Sequence, residues 1–158
     1  MSELNRLSEV IHDRGTLVGI ANSCDRAYAE GTGNPSWYSP FTAEDKPEHF
    51  GRNLAGMFAV ISGLSIIALL RGIPLEGNVG SILSEISDFE SMPETDQQTL
   101  LRLANLSWNA GQPLIQDKGV LGRLGNINVF DTLPPEEVAK DRFQIQAAAN
   151  ELLNAFRG

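Results

Sequence analysis

The run from Asn53 to Leu70, NLAGMFAVISGLSIIALL, constrains this chain more than any other stretch. It holds eighteen residues without a charge, with Arg52 before it and Arg71 after it. Its flanks read as helix signals. Asp45 is placed to cap the N-terminus, Glu48 to return the bond as a capping box, and Pro47 to sit in the tolerant first turn. Gly72 and Pro74 supply the stop. Phe50, Leu54, Met57, Ile61, Leu64 and Ala68 alternate at four and three and paint one stripe. Phe58, Val60, Ile66, Ile67 and Leu69 cover much of the remainder, so the sequence predicts a helix with no polar face. Such a helix is either the centre of a soluble bundle or a membrane span.

Length and composition separate the two. Eighteen residues make about 27 Å of helix, the short edge of what crosses a bilayer. Ser62, Ser65, Gly56, Gly63 and Asn53 dilute the apolarity, and no belt of Trp or Tyr brackets the ends. The rest of the chain is amphipathic. A central helix buried in protein is therefore expected, with Gly56 and Gly63 admitting a close helical neighbour.

Around it the periodicity predicts further helices. Ser2 caps a first one with Leu4, Leu7 and Ile11 inward, and Gly15 ends or bends it. Leu17, Ile20, Ala21, Cys24, Ala27 and Tyr28 continue at helical spacing. Val79, Ile82, Leu83, Ile86 and Phe89 mark another, and Thr95 with Gln98 form a capping box for one through Leu100, Leu103, Ala104 and Trp108. Val138, Ile145, Ala149, Leu152 and Phe156 form the stripe of the last, which opens on prolines and acids that suit a helix N-terminus. Between 112 and 132 the helical period vanishes, and Ile127 to Phe130 is a candidate short strand. The expected fold is all-α: one domain over 1–158, a bundle of five or six helices with an irregular arm near 112–132.

At 158 residues the chain is long enough to bury a core without staples. A net charge of −8 and a pI near 4.7 argue against nucleic acid and anionic lipid as partners. One cysteine, Cys24, excludes an intrachain disulfide, and the charged N-terminus is unlike a signal peptide, so a cytoplasmic location is expected.

Chemistry is sparse. His12 and His49 each adjoin an acid, Asp13 and Glu48, but no metal-ligand spacing surrounds them. Cys24 lies on an apolar stripe, where a buried thiol is expected rather than a nucleophile. Gly77 to Ser81, GNVGS, precedes a helix as a phosphate loop does, yet it has no lysine and follows no strand, so a plain turn is expected. These readings predict no enzyme, no metal and no cofactor.

Two stretches stand out. One is Cys24-Asp25-Arg26-Ala27-Tyr28 with Glu30, Gly33, Asn34, Ser36 and Trp37. The other is Phe130-Asp131-Thr132-Leu133-Pro134-Pro135-Glu136 with Lys140-Asp141 and Phe143. Together they resemble the two ends of the RyR domain, the small helical repeat named after ryanodine receptors and present in bacterial and phage proteins. Asp25 stands where that family favours Asn, and the intervening stretch is longer and more apolar. The resemblance implies a non-enzymatic binding module for a protein or a small, nucleotide-derived ligand, with the two motifs close in space. It also implies site roles for Tyr28, Asn34, Lys140 and Asp141.

The residues themselves point to the loop from Gly31 to Pro40. Its prolines stiffen it, and Trp37 and Tyr38 offer contact area beside Arg26. The opposing expectation is that both aromatics fold back onto the bundle as a lid. Two other functional classes also fit: an acidic inhibitor or immunity-type protein that covers a basic surface, and a helical oligomeric or phage-type structural subunit joined through the apolar stretch.

Overall fold

The first helical run divides at Asp13. Ser2 caps α1 (Glu3–His12), its hydroxyl accepting the Asn5 N–H at 3.1 Å. Asp13 caps α2 (Arg14–Gly31) by accepting from the Thr16 N–H and hydroxyl, each at 2.9 Å. The break expected at Gly15 therefore falls two residues earlier, because a carboxylate there satisfies amides that a new helix leaves open. The same bonds, the backbone one foremost, hold the Asp13 carboxyl below its ordinary range.

The computed structural model describes residues 2–110 and 135–158. The arm expected at 112–132, with its candidate strand, lies outside the described residues. Beyond α2 come a 3₁₀ turn (Pro35–Trp37), α3 (Pro47–Arg52), α4 (Ala55–Arg71) and α5 (Val79–Ser87). A second 3₁₀ turn (Phe89–Ser91), α6 (Glu94–Ala110) and α7 (Pro135–Arg157) complete the order. The fold is an all-α bundle, with no strand among the described residues.

α4 is the central helix, but it starts later than its sequence signals suggest. Asp45 does not cap it. The Asp45 carboxylate accepts the Thr42 N–H and the Thr42 hydroxyl accepts the Asp45 N–H, both at 3.2 Å, which closes a separate turn. α3 then begins at Pro47 without a side-chain cap. It ends where Asn53 Nδ2 donates to the His49 carbonyl at 2.9 Å, and the backbone resets before Ala55. The far end is as expected, with Gly72 at φ 68°. Likewise α6 begins at Glu94, so Thr95 lies inside its first turn instead of at the cap.

The stretch from Pro47 to Arg71 is long and apolar enough to cross a membrane, and 61% of its apolar window is buried inside the protein. Met57, Val60, Leu64, Ile67 and Ala68 face the core. The two glycines admit two different helices. At Gly56 a Cβ would lie 2.8 Å from the Gln144 carbonyl oxygen of α7, and at Gly63 it would collide with Leu100 of α6. α7 is the second organising element, presenting Ile145, Ala148, Ala149, Leu152 and Phe156 to the core. One expectation fails: α4 is not buried all round, for Phe58, Leu69 and Leu70 are exposed and Ile61 is only half-buried.

The Gly77–Ser81 turn is occupied from within the chain. The Glu3 carboxylate accepts the Val79 and Gly80 amides at 3.2 and 3.5 Å, at the start of α5. The Glu76 carboxylate accepts the Glu3 and Leu4 amides at 2.7 and 3.1 Å, at the start of α1. α1 thus supplies the anion at the start of α5, and the turn just before α5 supplies the one at the start of α1.

A cleft between Trp37 and the short helix before the core

The side of α2 carrying Asn22, Asp25, Arg26 and Ala29 holds the loop that follows it. Asn22 is the fastening. Its Nδ2 donates to the Val18 and Phe41 carbonyls at 2.8 and 2.9 Å. Its Oδ1 accepts the Phe41 N–H and the Tyr38 hydroxyl, each at 3.0 Å. These four bonds fill the hydrogen-bonding capacity of an amide. Phe41, thereby fixed, is buried and packs on His49 at 4.8 Å and edge-on to Phe50 at 6.5 Å.

Phe41 thus forms the base on which α3 rests. His49 Nε2 lies 3.2 Å from the Asp25 carboxylate, and His49 Nδ1 lies 3.4 Å from Arg52 Nη2. The histidine is paired with Asp25, 24 positions upstream in the chain, and not with its neighbour Glu48. His12 uses its ring on the Ser8 carbonyl at 2.6 Å. Against α3 lies a cleft of about 410 Å³ lined by Trp37, Lys46, Pro47, Glu48, His49 and Arg52. Trp37 is 66% exposed on its wall. Arg52 Nε is shielded from solvent and has no hydrogen-bond partner. A buried donor left open is uncommon in folded proteins, and Arg142 Nε on α7 is in the same state.

The residues expected from the sequence divide into two groups. Trp37 lines the cleft, and Tyr38 stands next to it with the Arg26 guanidinium 5.1 Å from its ring. Asn34 serves the loop locally, donating from Nδ2 to the Thr32 carbonyl at 3.0 Å. Tyr28 and Lys140 belong elsewhere, on the seam between α2 and α7. There Cys24 contacts the Gln144 carbonyl, Gly31 lies under Phe143, and Lys140 Nζ is 5.9 Å from the Tyr28 ring. Asp141, next to Lys140 on α7, is buried. Phe130 to Pro134 of the second motif lie outside the described residues, and Lys140 and Phe143 line this seam with α2, away from the Trp37 wall.

Lys46, His49, Arg52, Asn22 and Phe41 are not legible as site residues from sequence. Their roles depend on α3 folding back onto α2, and no spacing rule announces that. Cys24 is the buried thiol expected: burial foremost, with the charges of Glu151 and Asp25 adding, pushes it up to about 12. At neutral pH it is neither a nucleophile nor a ligand. Among the described residues, no three His, Cys, Asp or Glu side chains are grouped to hold a metal ion. Neither a protein-family model, nor a curated protein, nor a solved structure matches the chain.

Proposed function

We propose that this protein is a non-enzymatic binding module whose ligand is a small planar molecule carrying an acid group, held in the cleft between Trp37 and α3. One observation carries the reading: an exposed tryptophan shares its cleft with Lys46, His49 and Arg52 against one carboxylate, Glu48, in a chain whose net charge is −8. A tryptophan face offers stacking area at low rotamer cost, and a guanidinium offers a planar fork to a carboxylate or phosphate. Asn22 and Phe41 hold the loop before any ligand arrives, which keeps the entropy cost of binding low.

The chain holds two tryptophans, so the test uses Trp37 as reporter in a Trp108→Phe background. Adenosine monophosphate, benzoate, adenosine and inorganic phosphate serve as probes in a fluorescence titration. The expected result is saturable quenching by a probe that is both planar and anionic, with adenosine and phosphate at least about tenfold weaker. Trp37→Ala should leave the melting curve nearly unchanged while abolishing binding detected by calorimetry. Equal binding to Trp37→Ala, or no quenching by either planar anion at millimolar concentration, refutes the reading.

A further inference from the structure

Among the described residues, α4 leaves one line of side chains uncovered. Phe58, Ser62, Ser65 and Leu69 are all exposed, Ile61 and Ile66 flank them half-buried, and Leu70 extends the patch. Spacings of four, three and four keep the first four residues on one side of a helix, as in the seam of a coiled coil. We propose that this line is the interface with a second copy of this chain, with α4 crossing α4 antiparallel. The surface is separate from the Trp37 cleft, and the proposal does not depend on the ligand reading.

Three features select a second copy as the occupant. The first is symmetry. The pattern reads the same from both ends about a midpoint between Gly63 and Leu64, with a large apolar residue at 58 and 69 and a serine at 62 and 65. A two-fold axis through that midpoint sets Phe58 against the partner's Leu69 at both ends, and Ser62 against the partner's Ser65 in the middle. This is the self-complementarity that an isologous dimer requires. Small residues at the crossing let the helix axes approach while the large ones interlock on either side.

The second feature is charge. A chain of net charge −8 repels its own copies, yet this line carries no ionic group. Arg71, at its end, is drawn aside by Glu85 at 2.7 Å and Asp96 at 3.1 Å. The third is area. Phe58 is 50% exposed, Leu69 78% and Leu70 70%, so the patch amounts to about 400–500 Å², in the range of functional apolar patches on small proteins. Two copies would cover roughly 800–1,000 Å², below the standard size and in the range of weak, transient interfaces. The dimer is accordingly weak and its population depends on concentration in the micromolar range and above.

Sedimentation equilibrium of the whole chain from about 2 to 200 µM tests this. The expected mass rises from 17.2 kDa toward twice that value. Phe58→Glu and Leu69→Lys should each remain monomeric with unchanged circular dichroism. An equimolar mixture of the two should dimerise again. In the antiparallel pair the new carboxylate meets the new ammonium at one contact, while Phe58 and Leu69 meet unaltered at the other. A parallel pairing sets position 58 against itself and gives no such rescue. An unmodified protein that stays monomeric at about 200 µM overturns the proposal, whether or not it binds lipid vesicles. A mixture that stays monomeric overturns the antiparallel register.

Discussion

The reciprocal caps of Glu3 and Glu76 allow a quantitative test of how α1 is joined to the bundle. Glu3→Gln keeps the length of the side chain and one acceptor, but removes the charge and the second acceptor. What is lost is an anion at a partly buried helix start, where it touches two amides at 3.2 and 3.5 Å. Charges at helix N-termini contribute roughly 0.3–1 kcal/mol when exposed and up to about 2 when partly buried. A loss of about 1 kcal/mol is therefore expected for Glu3→Gln, and a melting temperature about 2–4 °C lower. Glu76→Gln should cost about half as much, since its bonds to the Glu3 and Leu4 amides are exposed and water can replace it.

The two losses should not add. Releasing either carboxylate lets the start of α1 move away from α5, which weakens the other cap. The double variant should thus fall short of the sum by about 0.5 kcal/mol. Urea unfolding followed by far-ultraviolet circular dichroism, at low salt and at 1 M NaCl, measures all four proteins. The difference should shrink at high salt, where the Debye length is about 3 Å. A loss below about 0.3 kcal/mol for Glu3→Gln, or strict additivity with Glu76→Gln, refutes the reciprocal arrangement.

Two further outcomes follow from burial. Leu64→Ala, at a fully buried site on α4, should cost about 2–5 kcal/mol in the same urea assay. Ser62→Ala on the uncovered side should stay within about 0.5 kcal/mol, and equal effects would mean that α4 is rotated about its axis. The Cys24 thiol, ordinarily near 9, is pushed up to about 12 in the fold. The unfolded chain therefore loses this proton first, so stability is unaffected below about pH 9 and falls between about 9 and 12. Cys24→Ala should flatten that alkaline decline, and native Cys24 should resist iodoacetamide at pH 8 until urea unfolds the protein.

Helix character was legible from sequence because local signals carry it. The apolar periodicities of α2, α5 and α7, the Ser2 cap and the Gly72 stop each act within a turn or two of chain. A residue such as Ile82 or Ile145 announces its burial by spacing alone. The aromatic loop was legible in the same way: proline and tryptophan between helices mark a stiff exposed segment, and Trp37 is exposed. Capping boxes were less reliable. Asp45 has the right neighbours in sequence for a cap, but Thr42 competes for its carboxylate at 3.2 Å and closes a turn instead.

Only the tertiary structure decided which apolar residues of α4 stay uncovered and which polar residues build the cleft. The sequence presents Phe58 and Leu64 as equally apolar, and the packing of α6 and α7 onto the Gly63 and Gly56 sides leaves one exposed and the other buried. It presents His49 beside Glu48, and the return of α3 onto α2 pairs it with Asp25 at 3.2 Å. Hydrophobic periodicity fixes the helices because neighbouring side chains share one rigid backbone. Contacts between segments far apart in the chain depend on how those helices dock, and that information is distributed over the whole core.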